Sequence, residues 1–427
     1  MSLSGNYDKR GMLSGTAQRH SFFCYAGSAL LFALTPSLLR AGAGIRVVDQ
    51  DAAATARGNA FTATADNPSA IYYNPAGITQ LKGVQFRAGA YAVSLRAEYD
   101  GPNGESAKNR SQVSVAPQFY ATWTPANSPL SFGLGVYAPY GLGLEYPDDT
   151  PFRTAAKVGR IEYLTVNPVV AWKVMPELSL GVGATVNYVA AELSRGIFRE
   201  GDEFKLRGAG TAYGFNAGVL WQPTERHSFG IRYHTGTQAE LSGHTSVRTK
   251  PFTVATPLGP FQVPGMESEQ DANGSLRFPQ FVTLGYSYRP APGWNLEIGA
   301  EWTDWNALKE LTVHRRNADT VSVPFHWRSN WIYQAGVTRS WTNGWHASLG
   351  YIYAEKVVPE ETFTPSVPDY DRHVFTGGFG CSGVWWSFDL AYEFSHQLAR
   401  HIEQGTAVDG TYRLDTHALS LSCGVTF

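Results

Sequence analysis

Hydrophobic and polar residues alternate along most of this chain. Leu178, Leu180, Val182, Ala184, Val186 and Tyr188 oppose Ser179, Gly181, Gly183, Thr185 and Asn187. Trp294, Leu296, Ile298, Ala300 and Trp302 oppose Asn295, Glu297, Gly299, Glu301 and Thr303, and Trp386, Phe388, Leu390, Tyr392 and Phe394 oppose Ser387, Asp389, Ala391, Glu393 and Ser395. A period of two puts alternate side chains on opposite faces of a strand. About fourteen such segments begin near Val84, Gln112, Leu130, Arg160, Leu178, Gly208, His227, Asn273, Trp294, Asn330, Trp345, His373, Trp385 and Arg413. The even number predicts a closed antiparallel barrel. The oily faces often start or end on Trp or Tyr, as the aromatic girdles at two membrane interfaces require.

The connections alternate in length. Short ones fall at 124–129, 175–177, 222–226, 289–293, 341–344 and 382–384. Long ones fall at 100–110, 140–158, 197–206, 243–272, 306–326, 354–371 and 397–412. Short periplasmic turns and long outer loops produce this asymmetry, whereas a soluble sandwich has no reason to gather its long loops on one rim. The last segment puts Leu419, Leu421, Cys423, Val425 and Phe427 on one face and Ala418, Ser420, Ser422 and Gly424 on the other. It is expected to pair with the segment at Val84, with the first set against lipid. The terminal Phe427 is read as part of a signal to the barrel-assembly machinery.

Composition agrees. Charged residues make up 16% of the 427, against ~25% in ordinary soluble domains. Aromatics reach 13%, with 44 glycines and a mean hydropathy of −0.23. Lipid-facing and lumen-facing residues in equal measure give such a balance. The formal charge of −2 offers no footprint for nucleic acid.

The N-terminus reads as a secretory signal over 1–42: Arg10, Arg19 and His20 precede an apolar run, 22–39, that ends at Leu39-Arg40-Ala41-Gly42-Ala43-Gly44. Cleavage is expected near Ala41 or Gly42, and a single membrane anchor is the alternative. No later run of eighteen apolar residues predicts a spanning helix. Cys381 and Cys423, far apart on predicted strands, read as small apolar residues. Residues 43–82 lack the two-residue period. A barrel of this width needs filling, and Ile71, Tyr72, Tyr73 and Ile78 give the segment something to pack with. It is therefore assigned to a plug in the lumen, and 83–427 to the barrel.

Within the plug, the stretch from Ala43-Gly44-Ile45 through Arg57-Gly58 to Asn74-Pro75-Ala76-Gly77 resembles the N-terminal hatch of the outer-membrane transporters of long-chain fatty acids and aromatic hydrocarbons. Phe132-Gly133-Leu134-Gly135 with Tyr140-Gly141-Leu142 resembles that family's third strand. Leu276, Phe278 and Pro279 resemble the start of its eighth, and Pro368-Asp369-Tyr370-Asp371-Arg372 resembles its approach to the twelfth. The resemblance spans nearly all of 43–427. It implies a fourteen-stranded barrel plugged by a hatch. Hydrophobic molecules would land among outer loops, move to an inner site, and leave sideways through the wall when the hatch rearranges.

The resemblance assigns hatch and gating roles to Arg57, Gly58, Asn74, Pro75 and Ala76, and the lateral opening to Pro139, Tyr140 and Gly141. The resemblance implies an inward kink of the third strand at this opening, and Pro139, which lacks a ladder N–H, and Gly141, which tolerates a bend, give such a kink a local cause. Phe252, Leu258, Phe261 and Val263, apolar residues in a long loop, are candidates for a landing groove. Arg232, His234 and Arg277 are candidates for the lumen face. Glu297, Glu301, Asp389 and Glu393 are expected to face inward and bind the hatch. Asp369 and Asp371 beside Arg372 suggest a loop ion pair, with calcium as the alternative. The expected partners are fatty acids or hydrocarbons, outer-membrane lipids and lipopolysaccharide, and the assembly machinery. The expected state is a monomer in the outer membrane, with no cofactor, metal, nucleic acid or enzymatic activity. The alternative functions are a nonspecific porin or structural barrel and, behind it, an outer-membrane hydrolase.

Overall fold

The computed structural model describes residues 44–427 except 258, 317 and 318. The signal segment and Leu258 therefore lie outside the described residues. Fourteen spanning strands follow one another: β1 Gly83–Asp100, β2 Val113–Thr124, β3 Leu130–Tyr137, β4 Val158–Met175, β5 Leu178–Arg195, β6 Glu203–Thr224, β7 His227–His234, β8 Phe281–Tyr288, β9 Trp294–Thr303, β10 Asn330–Ser340, β11 Trp345–Ala354, β12 Arg372–Ser382, β13 Trp386–Gln397 and β14 Gly410–Thr426. Each pairs antiparallel with the next. β14 returns to β1 in an unbroken ladder from Gln85–Thr426 to Asp100–Thr411, which closes the barrel. Closure pairs the last strand with the first, so neither end of the sheet is a free edge strand.

The period-two pattern decides what faces outward. Leu419 and Leu421 of β14 are exposed, whereas Ser420 and Ser422 between them are buried. Trp123, Trp172, Trp221, Trp294, Trp345, Trp386 and Phe427 ring the end with short turns. Tyr188, Tyr213, Trp331, Tyr333 and Tyr392 stand toward the other end, exposed on the wall. Cys381 and Cys423 are free thiols on the wall strands.

Two expectations are corrected. The segment 243–272 is not a loop. Strands Thr237–Thr249 and Met266–Phe278 continue β7 and β8 outward as a paired ladder. A strand crosses a membrane in ~9–11 residues, yet β6 has 22, so this sector projects beyond the lipid. Both faces of the projecting part meet water in places, which erases the alternation. Arg277 is the second correction: it is exposed and donates to Gln238 Oε1 at 2.9 Å. Phe278 and Phe281, three residues apart, are both buried. The break at Pro279-Gln280 thus switches which parity faces inward, and Arg277 falls outside.

Residues 44–82 are almost wholly buried against the wall. They form α1 Ala52–Thr55, α2 Ala70–Tyr73 and a 3-10 helix Pro75–Gln80. Asp51 caps α1 by accepting from the Ala53 amide. Pro75, in the first turn of the 3-10 helix, has a fixed φ and lacks an amide that would be unpaired there. Tyr72 and Tyr73 pack with Phe61, Tyr120, Tyr137 and Ile78 into a plug–wall core.

Candidate functional site

The plug docks where wall glycines stand side by side across strands. Gly181 of β5 pairs with Gly218 of β6, and Asn74-Pro75 lies directly on them: a Cβ on Gly181 would come within 2.5 Å of the Pro75 carbonyl carbon. Gly336 of β10 pairs with Gly350 of β11, and Arg57-Gly58 lies there. Gly58 itself has φ of +66°, and a Cβ on it would meet the Tyr351 amide nitrogen at 2.8 Å. Gly230 and Gly285 form a third such patch under Thr62-Ala63. No local pattern in the sequence marks these wall glycines. Their signal is the pairing of glycines at matched register, legible only once the register is known.

Asn74 is fully buried and uses its whole amide. Its Nδ2 donates to Thr62 O at 2.8 Å and to Val219 O at 3.0 Å, and its Oδ1 accepts from the Ala76 amide at 3.2 Å. One side chain thus holds the turn at Asn74-Pro75-Ala76, the plug segment at Thr62 and the wall strand β6 together. Arg57 is buried, with Nη2 3.7 Å from Glu297 Oε2. Pro75 and Ala76 are buried beside Asn74.

The four inward carboxylates also bind the plug or its neighbours. Glu297 accepts from the Ala63 amide at 2.7 Å and from the Thr64 hydroxyl. Glu301 accepts from Arg46 Nη2 at 2.8 Å, Arg232 Nη2 at 2.6 Å and the Thr283 hydroxyl at 2.9 Å. Asp389 pairs with Arg87, which also pairs with Asp51 of the plug. Glu393 accepts from Tyr91 at 3.1 Å. Arg232 and His234 face inward as expected, and Arg232 Nη1 also donates to Tyr72 O. Asp369 is buried and accepts backbone amides, while Asp371 accepts the Lys356 amide.

β3 stops at Tyr137 and its continuation, Gly141–Glu145, pairs only with the outer part of β4. The β2–β3 ladder runs only from Phe119–Val136 to Trp123–Phe132, so the outer half of β2 leaves β3 behind. The interval Ala138-Pro139-Tyr140 bends inward onto the plug. Arg46 bridges Tyr140. The Val47 amide donates to Pro139 O and the Gly141 amide to Ile45 O, each at 2.9 Å. Gln50 completes the seam: its Nε2 donates to Ala138 O at 2.9 Å and its Oε1 accepts from the Ala138 amide at 3.2 Å. The first residues of the plug therefore occupy ladder positions that β2 does not fill. Tyr140 is buried, and its hydroxyl donates to Pro279 O.

Beyond the plug, toward the long connections, lies an apolar cavity of about 400 Å³. Ile45, Leu142, Ile161, Leu193, Leu276, Leu308, Leu311, Phe325, Trp327 and Phe363 are among its lining. Sites for small molecules span ~300–1,000 Å³. Arg195, exposed at the rim beside Phe204, is its one cationic lining residue among the described residues. Phe252, Phe261 and Val263 do not line it. They sit on a separate hairpin, Phe252–Thr256 with Gly259–Val263, where Arg199 lies 4.4 Å over the Phe252 ring. Phe427 is exposed, and its amide donates to Val84 O at the barrel seam.

A family model described as "Outer membrane protein transport protein (OMPP1/FadL/TodX)" matches residues 34–427. A long-chain fatty acid transport protein of Escherichia coli O6:H1 is 22% identical over 371 residues, 79% of this chain and 80% of the relative. A 47 kDa outer membrane protein of Pasteurella multocida is 23% identical over 373 residues, 79% of this chain and 80% of the relative. Among solved structures, a Pseudomonas aeruginosa FadL homologue superposes with a TM-score of 0.77 at 20% identity, covering 90% of this chain and all (100%) of that one. The Pseudomonas putida toluene transporter TodX gives 0.69 at 17% identity, covering 92% and 99%. At these identities the structural likeness speaks for the fold, and the family match for membership. With that model matching residues 34–427, the chain is a member of the OMPP1/FadL/TodX family of outer-membrane transport proteins.

Proposed function

We propose that this protein takes up hydrophobic molecules, long-chain fatty acids or related hydrocarbons, and releases them sideways into the outer membrane. The observation that carries the reading is a continuity at one residue. Ile45 lines the apolar cavity, its carbonyl accepts from Gly141 at the β3 break, and the next residue bridges Tyr140. A molecule in the cavity therefore rests against the segment that fills the gap in the wall. Withdrawal of residues 45–50 from β3 would connect the cavity to lipid. Burying each methylene is worth ~0.8 kcal/mol, so a long acyl chain supplies its own driving force.

In this reading Arg57, Gly58, Asn74, Pro75 and Ala76 hold the rest of the plug while its first residues move. Pro139, Tyr140 and Gly141 form the exit. The hairpin bearing Phe252, Phe261 and Val263 is an outer surface for first contact, among lipopolysaccharide, and Phe427 marks the chain for assembly. Leu311→Trp, which fills the cavity, should lower uptake of radiolabelled oleate or toluene at equal surface expression. Full uptake by that variant would exclude the cavity as the route. A nonspecific porin would instead show steady ion conductance in planar bilayers, where a plugged transporter conducts little.

A further inference from the structure

We propose that a second cavity, at the end of the barrel with the short turns, binds a small oxyanion, a carboxylate or a phosphate. The anion sits between Arg57 of the plug and Arg289 of the wall and braces one against the other. This cavity has a volume of about 480 Å³ and shares no lining residue with the apolar one. Arg289 and Gly293 from the turn after β8, Ser340 at the end of β10, and Ser382 and Gly383 at the end of β12 line it, which places it on the periplasmic side. Ala53, Arg57 and Asn67 line it from the plug. Where the outer cavity presents Leu, Ile and Phe, this one presents Asn295, Thr338, Ser348 and Ser387.

Arg57 carries the argument. Its side chain is only 5% exposed, and its Nε and Nη2 make no hydrogen bond among the described residues. Glu297 spends its oxygens on the Ala63 amide and the Thr64 hydroxyl and leaves Arg57 Nη2 at 3.7 Å, too long for a hydrogen bond. Buried polar groups are almost always partnered, and a buried charged donor without an acceptor is costly. The neighbouring charges do not supply one. Asp389 is engaged by Arg87 and by His346 Nε2 at 2.7 Å, and Arg87 also holds Asp51. Asp66 is exposed at the cavity and makes no ion pair among the described residues. Arg289 makes none either, and its charge repels that of Arg57. Two guanidiniums thus face one polar space without a shared counter-ion. Their planar forks match the paired oxygens of a carboxylate or a phosphate, and the volume suits a small molecule. The anion accepts from both arginines, cancels their repulsion, and joins Arg57-Gly58 to the turn after β8. Because it fits only the docked plug, it favours docking by the factor 1 + [anion]/Kd. The argument does not depend on which molecule the barrel carries.

The test titrates the purified barrel with inorganic phosphate and, separately, with acetate, at constant ionic strength in neutral detergent. Calorimetry should show one saturable site for at least one of them. Binding of phosphate alone, of acetate alone, or of both names the oxyanion. Arg289→Gln, on a turn where the barrel should fold normally, should weaken that binding at least about tenfold. Arg57→Lys, which keeps the charge but loses the fork, should weaken it too. Arg413→Gln, at the opposite end beside Asp100, should bind as the wild type does. Hydrogen exchange reads the brace. The Gly58 amide donates to Thr55 O and to the Thr376 hydroxyl, each at 3.0 Å, and the Asn59 amide to Ala54 O at 2.8 Å. At an anion concentration of ten times Kd both should exchange about tenfold more slowly, and in Arg289→Gln they should not respond. The proposal is overturned if neither anion binds saturably or if Arg289→Gln binds like the wild type. It is overturned equally if Arg413→Gln loses as much affinity, or if exchange at Gly58 and Asn59 is unchanged at saturation.

Discussion

Replacing Glu301 with glutamine separates the plug from the wall at one named point. Glu301 of β9 balances two buried guanidiniums, Arg46 from the plug and Arg232 from β7. Both arginines also lie over the Phe281 ring, at 3.8 and 5.0 Å, in surroundings that solvate charge poorly. Glutamine keeps the shape but removes the charge, and its NH2 faces guanidinium donors. Removing one partner of a buried pair costs ~3–5 kcal/mol. Arg232 is fixed in a strand and cannot escape that cost. Arg46 can, if residues 44–50 withdraw from the wall. The docking equilibrium of this segment should therefore shift by roughly 100- to several-thousand-fold, at about 1.4 kcal/mol per tenfold.

Amide hydrogen exchange reads this directly. The Val47 amide is held by Pro139 O and the Gln50 amide by the Tyr73 hydroxyl, each at 2.9 Å. In Glu301→Gln both should exchange faster by a comparable factor, while amides of β5 and β12 stay protected. Wild-type exchange at Val47 and Gln50 would refute the reasoning. So would equal acceleration throughout the barrel, which would place the cost on the wall rather than on docking.

Two further outcomes follow from other contacts. Asn74→Ala deletes three buried hydrogen bonds, at ~0.5–1.5 kcal/mol each. It should lower uptake several-fold at equal surface expression with no change in barrel melting; wild-type uptake would count against the role given to Asn74. Asp148 clasps two outer loops through Lys157 at 2.7 Å, Arg153 at 3.1 Å and the Gly201 amide at 2.5 Å. Partial burial pushes its carboxyl up, but these partners outweigh it and hold the pKa at about 2 rather than 3.8. A depressed folded value means the clasp is complete above pH ~4 and is lost as pH falls toward ~2. Pepsin nicking of 196–202 should rise across that window in the wild type. In Asp148→Asn it should already be fast at the top of the window and change little with pH; a wild-type profile in the variant would contradict this.

The wall was readable because lipid on one side and a packed lumen on the other impose opposite demands on alternate residues. Thirteen of the fourteen segment starts fall on or beside wall strands, and the one at Asn273 falls on the strand that continues β8 outward; Leu419 to Phe427 shows why, since each outward position is apolar and each inward one small. The inward carboxylates were readable for the same reason, since Glu297 and Glu301 share parity with lumen-facing Thr303. Beyond the lipid that constraint lapses. The part of the ladder Thr237–Thr249 with Met266–Phe278 that lies within 243–272 therefore passed for a loop, and the break at Pro279-Gln280 carried Arg277 to the wrong face. The apolar cavity was illegible for another reason. Its lining gathers residues such as Ile45, Leu193, Leu311 and Phe363 from remote parts of the chain, whereas sequence reasoning could point only to a local cluster such as Phe252 and Phe261.

The central claim is that cargo leaves where β3 turns inward, and deletion of Ala138-Pro139-Tyr140 tests it most directly. Tyr137 faces inward, as do Leu142 and Leu144. Removing three residues keeps that parity, so β3 can run straight into Gly141–Glu145 and its ladder with β4. Uptake of radiolabelled oleate or toluene is measured in cells with equal surface amounts of folded barrel. The account predicts that the deletion abolishes uptake while the purified barrel still binds the apolar molecule in its cavity. Uptake at the wild-type rate would contradict it.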